Sequence, residues 1–344
     1  MHERKLKPLI VPIFIPNQGC PHRCIFCEQE KITSQPGQAI NRTHVERILD
    51  QAIHSKDFDL RRKPEVAFYG GTFTRLTLDL MNELLEAAAY YVKQGFFESI
   101  RVSTRPDALD ENRLEVMKGY GVLTVELGAQ SMDEHVLMLS NRGHTAEDTV
   151  KAVQVLKRYG FRVGIQLMPG LPGDSREKFR STITKVIKLR PNMVRLYPAI
   201  VIRGTELAYL FRKGRYEPLR LEEAIEICAE GCVRLENQGI PVIRIGLMSS
   251  PTLLEEGQIV GGPWHTAFGF LVRSHIHHQN MQKDLPGWGA VSQIKIRAPK
   301  REISLVRGYK NQGLQLIKRK TGAGVISVEP DDSVLPGQVR IETI

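Results

Sequence analysis

The sequence predicts an α/β protein built on a parallel sheet, either open and doubly wound or closed into a full or partial TIM-type β/α barrel, with a small C-terminal α+β extension. Three observations carry this. From Pro8 to about Ser250 the chain repeats one pattern: a short β-rich run, loop residues, then an amphipathic segment with helix-cap signals. Six or seven such units in series imply parallel pairing, because each strand is followed by a crossover rather than a hairpin. Polar and glycine-rich signatures then fall at the C-terminal ends of the runs, the end that carries chemistry in α/β folds.

The β-rich runs are, in order, PLIVPIFI, EVAFYGG, SIRVSTRPD, LTVELGAQS, RVGIQLMPG, NMVRLYPAIV and PVIRIGLM. Between them, LDLMNELLEAAAYYVKQG reads as a helix closed by Gly95, and TAEDTVKAVQVLKRYG as one opened by a Thr145-x-x-Asp148 cap and closed by Gly160. The signatures at the run ends are Gly70-Gly71-Thr72, Ser103-Thr104-Arg105, Gln130, Gln166 and Tyr197-Pro198. After Ser250 the rhythm breaks, so residues 1–250 read as the core, 251–292 as a connecting extension and 293–344 as a small basic module. The N-terminus has basic and then apolar residues, but prolines interrupt it and no small-residue cleavage site follows, which makes it a first strand in a cytoplasmic protein. No apolar run approaches the roughly 20 residues of a membrane helix.

Hydrophobic content of 42% with 25% charged residues is that of a soluble globular chain, and the net charge of +10 favours anionic partners, nucleic acid or phosphorylated small molecules. Five cysteines in 344 residues make no disulfide framework, and three of them cluster as Cys20, Cys24 and Cys27 in GCPHRCIFCEQ. Three soft thiolates at CxxxCxxC spacing call for a metal. A zinc site would need a fourth ligand, usually from a second short cluster. The remaining cysteines, Cys228 and Cys232, stand four apart on a helical pattern that reads as core packing. A [4Fe-4S] cluster held on three of its four irons suits the triad instead, and leaves one iron open.

CxxxCxxC with Phe26 before the last cysteine, placed after the first strand of a β/α repeat, resembles the signature of the radical S-adenosylmethionine (SAM) superfamily. That resemblance implies a partial barrel of the radical SAM type. It further implies that the open iron is chelated by the amino and carboxylate groups of SAM, and that the cluster's electron cleaves SAM to methionine and a 5′-deoxyadenosyl radical. Tyr69-Gly70-Gly71-Thr72-Phe73 is similar to the glycine-rich motif that binds the SAM amino group, its glycines allowing close backbone approach with bare N–H and C=O groups. STRPD, VELGAQS, NRGHT, QLMPGLPGD and LYPAIVIRGT follow in register, and the set resembles the radical SAM core of the Elongator catalytic subunit over about residues 8 to 250. The likeness to oxygen-independent coproporphyrinogen III oxidase is weaker.

Carried over by position, the resemblance places Phe26, Gly70, Gly71, Thr72, Ser103, Gln130, Arg142, Gln166 and Pro198 around SAM. Arg142 suits a carboxylate. Ser103 and Gln166 stand where the oxidase has acids, and a hydroxyl or amide still hydrogen-bonds a ribose. Glu126 and His144 lie in the same motifs, with a strand-end salt bridge and a surface loop histidine as their structural alternatives. The Elongator subunit continues into an acetyltransferase domain for which no acetyl-CoA motif is visible here, so acyl transfer is not implied.

From Gln293 to Lys320 the chain has nine Lys or Arg and one acid, Glu302. The order VRGYKNQGLQLIKRKTGAGVISVE resembles a K-homology RNA-binding unit, with Gly308-Tyr309-Lys310-Asn311 in place of its GXXG loop; Arg307 and Lys310 would contact phosphates. His275, His277 and His278, read in a strand-like segment, would alternate between faces, which weakens a second metal site. The expectation is a radical SAM enzyme that modifies a tRNA base and is reduced by an external donor such as ferredoxin or flavodoxin. A radical SAM enzyme for a small anionic metabolite such as a porphyrin, or a zinc-stabilised RNA-binding protein without catalysis, are the alternatives.

Overall fold

A computed structural model describes residues 9–21, 23–34 and 40–343. Pro8, the first residue of the first β-rich run, lies outside them. The chain divides into two compact units, one of residues 1–219 and 235–263, the other of residues 220–234 and 264–344.

The first unit is built on seven parallel strands: β1 (Ile10–Ile15), β2 (Glu65–Gly70), β3 (Ser99–Thr104), β4 (Val122–Gln130), β5 (Arg162–Leu167), β6 (Met193–Leu196) and, after a two-residue β7 (Val201–Ile202), β8 (Val242–Ile245). Their order in the sheet is β1-β2-β3-β4-β5-β6-β8, and each neighbouring pair is parallel. Among the described residues the end strands do not pair with each other, so the sheet is open, the partial β/α barrel the sequence predicts. Burial explains why the runs read as near-continuous apolar stretches: in β2, β3 and β6 both faces are covered, as parallel sheets require.

The crossover helices begin where their caps say. Thr145 and Asp148 form a reciprocal capping box at the start of the Ala146–Arg158 helix, and Gly160, at φ 85°, follows its end. Thr77 caps the Leu78–Lys93 helix, which stops before Gly95 at φ 80°. Left-handed backbone at these two ends is what glycine supplies.

One run divides. NMVRLYPAIV reads as a single strand, but pairing with β5 ends at Leu196–Leu167, and Val201–Ile202 instead pairs antiparallel with β9 (Ile259–Gly261). Pro198, without an N–H and with φ locked, stands at the break.

The second unit packs β10 (Gln293–Ala298) between a parallel β11 (Val325–Pro330) and an antiparallel β12 (Arg340–Thr343). Ile294, Ile296, Val306, Ile317 and Val328 share its core with Met281. Between β10 and β11 lie the short Ile303–Arg307 helix, a turn at Gly308–Asn311 and the Gln312–Thr321 helix. The strand-like reading of the histidine run is overturned: His275, His277 and His278 lie within a 17-residue helix, Phe268–Asp284. Its buried residues, Phe268, Leu271, Val272, Ser274, His277 and Met281, recur at helical spacing, and two polar members hide that stripe from a reading by hydrophobicity. Among the described residues no helix is long and apolar enough to cross a membrane.

Candidate active site

The cysteine loop leaves β1 through two left-handed residues, Asn17 (φ 58°) and Gly19 (φ 72°). Asn17 N–H donates to the Gln29 side-chain carbonyl, Cys20 N–H to Asn17 O at 3.2 Å, and Cys27 N–H to Cys24 O at 3.0 Å, so the loop folds back on itself. Its two apolar residues anchor it. Ile25 is buried with Val201, Leu207, Ala208 and Tyr216, while half-buried Phe26 packs both there and against Val136, Leu171 and Ala199. Phe26, placed beside SAM by resemblance, therefore has a packing role at the hinge between the cysteines.

The neighbouring loop after β2 holds the first cysteine. Thr72 Oγ1 lies 3.3 Å from Cys20 Sγ. The N–H groups of Gly71 and Thr72 are not bare, as the motif suggested; they donate to Ile15 O at 3.1 Å and Gln18 O at 2.7 Å. The need for glycine is a close approach of two backbones: a Cβ on Gly71 would come 2.0 Å from Gln18 O, and one on Gly19 2.3 Å from Thr72 O. Gly71→Ala is accordingly expected to push the cysteine loop off the sheet, costing about 1–3 kcal/mol. A fall in both Tm and iron bound per chain after reconstitution would show it.

Arg142, beyond β4, is buried and donates from Nη1 to Cys24 Sγ at 2.9 Å and from Nη2 to Gly128 O, while its Nε has no partner among the described residues. Gly128 makes the room: a Cβ there would lie 3.0 Å from Gln130 Nε2 and 3.5 Å from Arg142 Nη2. Gln130 ends β4 at φ 67°, where the register with β5 shifts, and its side-chain carbonyl accepts from Gln166 Nε2 at 3.1 Å. Ser103 Oγ reaches Gly70 O at 3.4 Å. Pro198, just past β6, is buried. The candidate residues thus gather at the C-terminal ends of adjoining strands, where this class of sheet places its chemistry.

Burial pushes the Cys27 thiol up to about 12, with Cys24 and Cys20 adding to the effect, and it raises Cys20 despite the Thr72 hydroxyl. Three thiols held within electrostatic reach of one another are a donor set suited to a soft metal group, whose binding displaces their protons. Among the described residues no three His, Cys, Asp or Glu side chains converge on a point that would hold a single ion. Three thiols on one short loop are the donor set of a [4Fe-4S] group held on three of its irons.

Below this rim lies an ion network that the sequence motifs did not reveal. Glu126 on β4 accepts from Tyr69 OH at 3.0 Å and Arg195 Nη2 at 2.9 Å and pairs with Arg101 at 2.5 Å, while Arg101 also meets Glu65 at 2.7 Å. Arg195 Nη1 donates to Tyr197 OH at 3.0 Å. All four charged groups are at most 9% exposed. Gly164 on β5 faces the hub, since a Cβ there would approach Glu126 Cγ to 2.9 Å. The available signal was a charged residue inside each of four apolar runs, EVAFYGG, SIRVST, LTVELG and NMVRL. Glu126 is therefore the centre of a buried network rather than one half of a strand-end salt bridge. His144, expected at a loop surface, is buried and held near 4 by burial and by Arg142 and Arg105, hence neutral at physiological pH.

The other candidates do not assemble. His277 Nε2 lies 3.2 Å from Glu302, and His278 Nε2 lies 3.0 Å from Val306 O, so the histidines serve separate partners. Cys228 and Cys232 are fully buried in the Leu221–Glu236 helix.

Thiols, a guanidinium and two amides at the mouth of an open parallel β/α sheet define an enzyme of the soft-metal, α/β class. The chain belongs to the radical SAM superfamily, whose sequence model matches residues 14–186, and a Radical_SAM C-terminal domain model matches residues 191–278. It is thus a radical SAM enzyme, a class whose cofactors are a [4Fe-4S] cluster and SAM. A tRNA uridine(34) acetyltransferase of Methanocaldococcus infernus is 33% identical over 262 residues, covering 63% of this chain and 48% of that protein. Human Elongator complex protein 3 is 31% identical over 201 residues, 53% of this chain and 36% of that protein. The solved structure of M. infernus Elp3 with an N-terminal deletion superposes with a TM-score of 0.59 at 26% identity, covering 80% of this chain and 63% of that one. The chain spans half or less of the length of the two sequence relatives.

Proposed function

We propose that this radical SAM enzyme modifies tRNA in the cytoplasm, taking its electron from a ferredoxin or flavodoxin. Cys20, Cys24 and Cys27 would hold the [4Fe-4S] cluster, and Gly70, Thr72, Ser103, Gln130, Arg142, Gln166 and Pro198 would line the SAM site. The observation that carries the cofactor assignment is the thiol loop with Arg142 donating to Cys24 Sγ at 2.9 Å and its Nε without a hydrogen-bond partner among the described residues. When bound, the cluster and SAM supply a 5′-deoxyadenosyl radical that removes a hydrogen atom from substrate. The protein's own part is to anchor the loop through Ile25 and Phe26, to offer Arg142 to a carboxylate, and to keep the lower end of the site dry with a charge-balanced network.

The RNA assignment rests on the tRNA-acting relatives and on the basic second unit, whose strand–helix–helix–strand order follows the K-homology likeness. Lys310 and Asn311 both adopt left-handed backbone in the turn between its helices, presenting exposed side chains. After anaerobic reconstitution, dithionite and SAM are expected to yield 5′-deoxyadenosine, with tRNA changing the rate; no product under either condition overturns the enzyme reading. Arg307→Ser with Lys310→Ser is expected to weaken tRNA binding several-fold and to lower the log–log salt slope by roughly 1.5. Unchanged binding would remove this loop from the interface.

A further inference from the structure

We propose that the second unit carries a subsite for single-stranded RNA, in which Trp288 stacks on an unpaired base and Lys318 and Arg319 meet the adjoining phosphates. It rests on the RNA reading above and gives part of that RNA a place on the chain. The residues concerned lie beyond both family matches, the later of which ends at residue 278.

Trp288 is 79% exposed, more than any other large hydrophobic side chain among the described residues. The loop that carries it is nevertheless tied down. Gly289 N–H donates to Thr321 O at 2.8 Å, and Gly322, left-handed at φ +73°, lies against the indole: a Cβ there would come within 3.2 Å of Nε1 and 3.3 Å of Cε2. Gly287 and Gly289, on either side of the tryptophan, have open space where side chains would be. The indole therefore rests on a backbone that only glycine permits and turns its free surface to solvent, the form of a stacking platform.

The helix that ends beside this platform is basic in its last turn. The Gln312–Thr321 helix ends at Gly322 with Lys318, Arg319 and Lys320 in its last turn, all exposed. Lys320 Nζ is committed to Gln282 O at 2.7 Å, whereas Lys318 and Arg319 show no side-chain partner among the described residues. Asp284, four positions before the tryptophan, is the nearest acid along the chain. Cations at a helix C-terminus also complement the helix dipole, but that role asks for no exposed indole beside them. Single-stranded RNA uses both features at once, since bases stack on aromatic faces regardless of sequence and phosphates supply the counter-charge.

The test is fluorescence anisotropy of the full chain with a labelled, unstructured oligoribonucleotide of about twelve nucleotides. Trp288→Ala is expected to weaken binding on the order of tenfold with Tm unchanged, and Trp288→Phe to keep most of the affinity. Lys318→Gln with Arg319→Gln is expected to flatten the log–log salt slope by roughly 1.4. Trp288→Ala binding as tightly as the parent overturns the subsite, and heparin competing as well against both proteins would identify the patch as a polyanion or protein contact. If the parent binds neither tRNA nor the oligonucleotide, the tRNA reading fails as well. If the parent binds both and Trp288→Ala is silent, only the subsite fails.

Discussion

Cys24→Ala is expected to bind no [4Fe-4S] cluster on reconstitution and to release 5′-deoxyadenosine from SAM only at background, with far-UV circular dichroism unchanged. Three thiols are the whole soft donor set of the loop, and removing one leaves two for a group that requires three protein ligands. Cys24 is the informative choice because it is the buried member and the one that Arg142 Nη1 contacts at 2.9 Å. Alanine strips that acceptor from a buried guanidinium, a loss of about 1–3 kcal/mol that is tolerable in a domain of this size. Cys24→Ser separates the two effects. Its hydroxyl can still accept from Arg142, restoring thermal stability, yet a hard oxygen is a poor substitute for thiolate and the cluster should still be lost. Iron and sulfide analysis with the visible spectrum decides it, and either variant retaining SAM cleavage would refute the ligand assignment.

Much of the fold was legible because its signals are local. Each of the seven β-rich runs supplied a strand to one sheet, the sixth with only its first half, and the Thr145-x-x-Asp148 cap opened and the terminal glycines closed helices where the sequence placed them. The thiol spacing was legible for the same reason, as three ligands on one short loop need no tertiary information. Features that depend on register were not. Arg101 and Gln130 stand beside register shifts, between Ile100 and Arg101 in the β3–β4 pair and between Leu127 and Gln130 in the β4–β5 pair. No single run shows which of its polar residues will meet a neighbour's. Gly71 illustrates the limit differently: the motif marked a close backbone approach, but the backbone that approaches is the protein's own cysteine loop. The histidine helix was missed because two of its six buried positions are polar.

Glu126→Ala is expected to be among the most destabilising single substitutions in the chain, at about 3–5 kcal/mol, because it leaves two buried guanidiniums facing a lost counter-charge. Arg101 retains Glu65 at 2.7 Å, but Arg195 is left with only the Tyr197 and Tyr69 hydroxyls; burial and Glu126 raise the Tyr69 hydroxyl well above its usual value, so it supplies no counter-charge. A Tm decrease of roughly 10 °C is the corresponding readout. Glu126→Gln keeps the shape and one acceptor, so it should lie between parent and alanine. Arg195→Met in the Glu126→Ala background should recover part of the loss, since removing both partners costs less than stranding one. Glu126→Ala melting within a few degrees of the parent would mean that water reaches these guanidiniums and that the network does not seal the base of the site. The expected ordering carries a functional consequence. A charge-balanced layer toward the N-terminal side of Gln130 and Gln166 on their strands steadies those polar side chains, so Glu126→Gln, folded but softened, should weaken SAM binding before it lowers the yield of folded protein.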